Sequence, residues 1–155
     1  MKKLIGGLIA AILVAGLILG TGVGITGASP AGESEPAPTV VVATPILELS
    51  KKAEVVIMGA GFEPGQELRL LVTDINGVRA DVAATLDPEP VANEIGAWAT
   101  AWTGCGRYIS KKLIKEGVYT ITVTDGEYNA LATAAVAFYD AEKPEEEWPG
   151  WAKAF

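Results

Sequence analysis

The sequence contains no histidine. That removes the commonest general base, the usual switch near neutral pH and the most versatile metal ligand. Ser-His-Asp and Cys-His catalysis are excluded, and so is any His-ligated zinc site. Cysteine occurs once, at Cys105, so no disulfide can form within the chain. Flanked by Gly104 and Gly106 and lacking an activating base, this thiol is expected to be buried and inert; a bridge to a second chain is the alternative. Basic residues are also scarce. Beyond Lys2 and Lys3, 10 remain against 19 acidic residues, a balance of −9. A surface of that sign repels phosphate backbones, so nucleic acid is not an expected partner.

What is present begins with an apolar run. Lys2 and Lys3 are followed by Leu4 to Gly20 without a charge, and the apolar character continues to Ala28. A short basic stretch before an apolar core is the pattern of a secretory signal, and Thr26-Gly27-Ala28 offers small residues for cleavage after Ala28. The competing reading is an uncleaved anchor, with residues 4–25 in the membrane and the basic end inside. Both readings place the remainder outside the cytoplasm, secreted or tethered. No cysteine lies near the end of the run, which excludes lipid attachment there. Residues 29–38 (SPAGESEPAP) read as a proline-rich, acidic linker.

From Thr39 the pattern changes to period two. The run TVVVATPILEL is a strand that Pro45 interrupts or carries to another sheet. Glu54 to Met58 follows, then a turn in which Pro64 presets φ and Gly65 accepts a positive φ. Leu68, Leu70 and Val72 alternate with Arg69, Leu71 and Thr73, as in a strand with one buried face. Asn76-Gly77 signals a hairpin, with Val78 to Leu86 as the return strand. Gly96 to Thr103 is a further strand, and Tyr108 to Lys115 suits a short helix or turn. Gly117 leads into the clearest alternation, with Tyr119, Ile121 and Val123 on one side and Thr120, Thr122 and Thr124 on the other. Ala130 to Tyr139 is the last strand, with Ala132, Ala134, Val136 and Phe138 inward. About seven strands with turn residues between them predict an all-β, two-sheet sandwich. The expected organisation is therefore 1–28 signal or anchor, 29–38 linker, 39–140 sandwich and 141–155 tail.

Three runs carry a resemblance: VVIMGAGFEPGQELRLLV, GAWATAW and EGVYTITVTDGEYNALATAAVAF. They resemble the immunoglobulin-like repeats of exported bacterial and archaeal surface proteins. Gly61, Pro64 and Gly65 fall in the turn of that pattern. Tyr119 falls at the corner tyrosine of such sandwiches, and Ile121 where antibody domains hold their second disulfide cysteine. The resemblance spans roughly Thr39 to Asp140. It implies display, adhesion, spacing or scaffolding without choosing among them.

The remaining residues of interest each have a bland reading and a sharper one. Trp98 and Trp102 lie four apart and share a strand face; core is the expected place, an exposed platform for sugar rings the alternative. Trp148, Trp151 and Phe155 sit in an acidic tail, either folded back on the sandwich or available to a partner subunit or a membrane interface. Asp74, Asn76, Asp81, Asp87 and Glu89, and separately Asp125, Glu127 and Asn129, carry the oxygens calcium uses. Tight turns select the same residues, and no D-x-D-x-D-G loop is present, so no metal is expected. No carboxylate pair stands out for glycoside hydrolysis. No catalytic residue and no cofactor are expected. The reading is a noncatalytic exported module that meets a protein or envelope component, with a carbohydrate-binding module as the alternative.

Overall fold

The computed structural model describes residues 37–154. The apolar N-terminal run, all but the last two linker residues and Phe155 lie outside them. Among the described residues, no helix is long and apolar enough to cross a membrane.

Among the described residues, nine strands form two sheets. They are β1 (Thr39–Val42), β2 (Ile46–Glu48), β3 (Val55–Ala60), β4 (Arg69–Thr73), β5 (Arg79–Asp81), β6 (Leu86–Asp87), β7 (Trp98–Trp102), β8 (Gly117–Thr124) and β9 (Ala130–Tyr139). One sheet has the order β1-β3-β7-β6 and the other β2-β9-β8-β4-β5. Every pairing is antiparallel except β2 with β9. One short helix, α1 (Cys105–Ser110), follows β7.

The alternation seen in the sequence places the core. Val55 and Ile57 of β3, Leu70 and Val72 of β4, and Tyr119, Ile121 and Val123 of β8 are buried. So are Val136 and Phe138 of β9, whereas Ala132 and Ala134 are only half-buried. Aromatic rings meet edge to face, Tyr119 with Phe138 at 5.8 Å within one sheet and Trp102 with Tyr108 of α1 at 5.4 Å. Such pairs add about 0.5–1.5 kcal/mol each beyond their buried area.

The count of nine rather than seven has two local causes. The first predicted strand divides at Pro45: β1 pairs with β3 in one sheet and β2 with β9 in the other. The predicted return strand Val78 to Leu86 also divides, which corrects the sequence reading. Only Arg79–Asp81 pairs with β4. The Asp81 carboxylate then accepts the Ala83 N–H at 2.8 Å, and Ala83–Thr85 form one 3-10 turn. That turn delivers Leu86 and Asp87 to β7 in the opposite sheet. The Ala-rich run here lacks the β-branched alternation that holds a long strand. The predicted helix is also displaced, starting at Cys105 rather than Tyr108.

The turns share one device. Asp74, Asn93 and Asp125 each accept two backbone N–H groups, from the residues two and four positions on, at 2.8–3.0 Å. The fourth residue of each five-residue turn is left-handed: Gly77 at φ 82°, Gly96 at φ 73° and Tyr128 at φ 66°. Glycine adopts this conformation freely, whereas for a tyrosine it costs about 1–2 kcal/mol.

Candidate functional site

Register fixes which loops share an end. Thr39 pairs with Ala60, Gly59 with Trp98, and Arg69 with Thr124. Segments 61–68, 88–97 and 125–129 therefore gather where the chain enters β1. They are stitched together by backbone bonds: the Phe62 N–H donates to Gly96, the Gly65 N–H to Ala92 and the Leu68 N–H to Pro90. Segments 49–54, 74–78 and 103–116 lie at the other end, where β9 finishes.

The entry end contains the turn built by Gly61, Pro64 and Gly65. Both glycines have positive φ, at 82° and 78°, as the turn requires. Phe62 between them is buried against Trp98, ring centroids 5.8 Å apart. Tyr128 is the aromatic displayed here, 52 % exposed. Arg69 lies over its ring at 5.3 Å and donates to its hydroxyl at 3.3 Å, and the hydroxyl donates to Asp81 at 3.3 Å. Sequence reasoning passed over Tyr128; its signal is the comparison of three turns, two of which place glycine at that position.

The tryptophans separate into two groups. Trp98 is 6 % exposed and Trp102 0 %. Neither ring offers a face to a sugar or partner, so the exposed-platform alternative is corrected at both. Gly59 leaves the space that the Trp98 indole fills. In the tail, Trp148 is half-buried, packs on Tyr139 at 4.9 Å and donates from Nε1 to the Lys143 carbonyl at 3.0 Å. Trp151 is half-buried and Ala152 buried. Phe155 lies outside the described residues.

Tyr119 makes the corner contact. Its hydroxyl accepts the Lys115 N–H at 2.9 Å and donates to the Lys115 carbonyl at 3.2 Å. The ring thereby ties the start of β8 to the segment after α1.

The ionisable groups serve local structure. Val78 N–H above all holds the Asp74 carboxyl below its usual range, and the Asn129 side chain does the same for Asp125. Glu116 holds the Lys143 ammonium above its usual range, at 2.9 Å. Burial pushes the Cys105 thiol up to about 12. Among the described residues, no three acidic or thiol side chains converge as metal ligands would. A cavity of about 210 Å³ between the 74–78 turn and the segment after α1 is lined by Trp102, Tyr108, Leu113, Ile114 and Tyr119. It is smaller than the roughly 300–1,000 Å³ of sites for small molecules.

Besides an open groove of about 420 Å³ lined by Pro38, Gly61, Phe62, Pro64 and Leu131, two surfaces could meet a partner. The outer face of the β1-β3-β7 sheet is uncharged, carrying Val41, Val56, Met58, Ala99 and Ala101. The ends differ in charge: the entry-end segments carry six carboxylates and no cation, and the exit-end segments six cations and three carboxylates.

No family model matches the chain, and no curated protein matches it. A solved structure, the tetra-tandem repeat in the extending region of a large adhesion protein, is 20 % identical with a TM-score of 0.38. The match covers 64 % of this chain and 24 % of that one, so this chain spans about a quarter of its length.

Proposed function

We propose that this protein is a noncatalytic, exported immunoglobulin-like module that spaces or assembles components of the cell envelope. The observation that carries this reading is the path of the chain. It enters β1 beside Ala60 at one end, and β9 ends at Tyr139, beside Glu48, at the other. A domain entered and left at opposite ends adds its full length to whatever it joins.

Supporting the immunoglobulin-like fold are the strand order, four strands facing five with β2 parallel to β9, and the Tyr119 corner. Supporting a noncatalytic role are the lack of histidine and the burial of Cys105, which pushes its thiol pKa up. Supporting export is the uncharged run from Leu4 to Gly20 behind two lysines.

Intact-mass measurement on the chain recovered from cytosolic, membrane and extracellular fractions tests the reading. The expected result is a chain outside the cytosol, either full length in the membrane or beginning near Ser29. Full-length chain confined to the cytosol would overturn it.

A further inference from the structure

We propose that copies of this domain associate end to end, a basic surface at the exit end of one docking on the acidic loops at the entry end of the next. The inference rests on the module reading and names its partner: a second copy of this chain.

One close packing builds the basic surface. Gly106 of α1 lies so tightly on the Lys51 carbonyl that a Cβ there would overlap it. This contact joins the 49–54 turn to α1. It gathers Lys51, Lys52, Arg107, Lys111, Lys112 and Lys115 at one end of the sandwich, and all six are exposed. Among the described residues, the salt bridges are Arg69 with Asp81 and Lys143 with Glu116, so none of the six is paired. The exit-end segments hold three carboxylates, Glu54, Asp74 and Glu116, against these six cations, a balance of +3. In a chain this acidic, an end with a positive balance is an attraction for an anion.

The anionic surface that fits it is on the same molecule. The three entry-end segments hold Glu63, Glu67, Glu89, Glu94, Asp125 and Glu127 and no cation. Arg69, beside them, is already engaged with Asp81 and Tyr128. Each end also carries exposed aliphatic tips: Ile95 (84 % exposed) at entry, Ile75 (90 %) and Leu113 (63 %) at exit. An apolar centre with a charged rim is the usual anatomy of an interface. The tail carboxylates Glu145–Glu147 lie toward the β2–β9 edge, where Trp148 packs on Tyr139, which directs docking to the opposite side, where the 74–78 turn meets the segment after α1. Because the surfaces differ and lie at opposite ends, the contact is heterologous and does not close on itself, so copies add in a row.

Sedimentation velocity on the full chain in mild detergent tests this. At about 20 mM salt the sedimentation coefficient should rise with concentration, and at about 500 mM, where the Debye length is a few ångströms, it should not. Lys111→Gln/Lys112→Gln spoils the exit end and Glu94→Gln/Glu127→Gln the entry end. Each variant alone should associate at least tenfold more weakly than the wild type. Mixed in equal amounts, they should form a dimer and nothing larger, since each keeps one intact end; this also shows that both have folded. A wild type that stays monomeric at low salt overturns the inference and leaves the module reading standing. Exit-end variants that associate like the wild type also overturn it. So does a monomeric wild type that binds polyphosphate through Lys111 and Lys112, which would assign the basic surface to a polymeric anion instead.

Discussion

Tyr119 shows how one hydroxyl can hold two parts of the fold. It satisfies both the N–H and the carbonyl of Lys115. Tyr119→Phe keeps the ring against Phe138 but leaves the Lys115 N–H without that partner, at a cost of about 1–2 kcal/mol. Urea denaturation should show this as a lower midpoint with an unchanged slope. The turn carboxylates give a pH dependence of determined sign. Asp74 and Asp125 are held below their ordinary values by backbone and side-chain donors. A depressed carboxylate adds stability that is present above its unfolded pKa, near 4, and is lost as pH falls through the folded value. Thermal midpoints should therefore drop below about pH 4, and Asp74→Asn/Asp125→Asn should flatten that drop. At the alkaline side, the Lys143 contribution is present below its unfolded pKa and fades as pH rises through the higher folded one.

Elements were legible where one residue pattern decided them. β8 is the clearest case: Tyr119, Ile121 and Val123 could face inward in one register only. Pro45 marked a break or a sheet switch, because proline cannot donate to a central ladder, and the structure shows the switch. The division between β5 and β6 was hidden, since it depends on the Asp81 carboxylate reaching Ala83, a local competition that hydrophobic period does not report. The strained Tyr128 was hidden for a related reason: backbone handedness at one residue leaves no trace in hydropathy. The tail was ambiguous because its aromatics suit either folding back on the sandwich or meeting a partner or membrane interface; the place of Trp148 beside Tyr139 is set by tertiary contact. Trp148→Ala should lose about 3 kcal/mol if the tail behaves as core and well under 1 kcal/mol if it does not. Half burial predicts an intermediate loss of about 1–2 kcal/mol, measurable by chemical denaturation.

For the molecule as a whole, the opposite placement of chain entry and exit acquires meaning under tension. Pulling on the two termini draws β2 and β9 past each other lengthwise, because they run parallel and belong to opposite ends of the chain. The bonds joining them, including Ala137 N–H to the Pro45 carbonyl at 2.7 Å and Leu49 N–H to the Tyr139 carbonyl at 2.8 Å, are loaded together in shear instead of opening one by one. Single-molecule stretching should accordingly show the tail detaching at low force and the sandwich yielding in one high-force event. Leu47→Pro, which distorts β2 at the core-facing residue opposite Phe138, should lower that force severalfold. A domain wired this way is expected to act as a mechanical fuse: stiff along its length up to a threshold, then suddenly extensible.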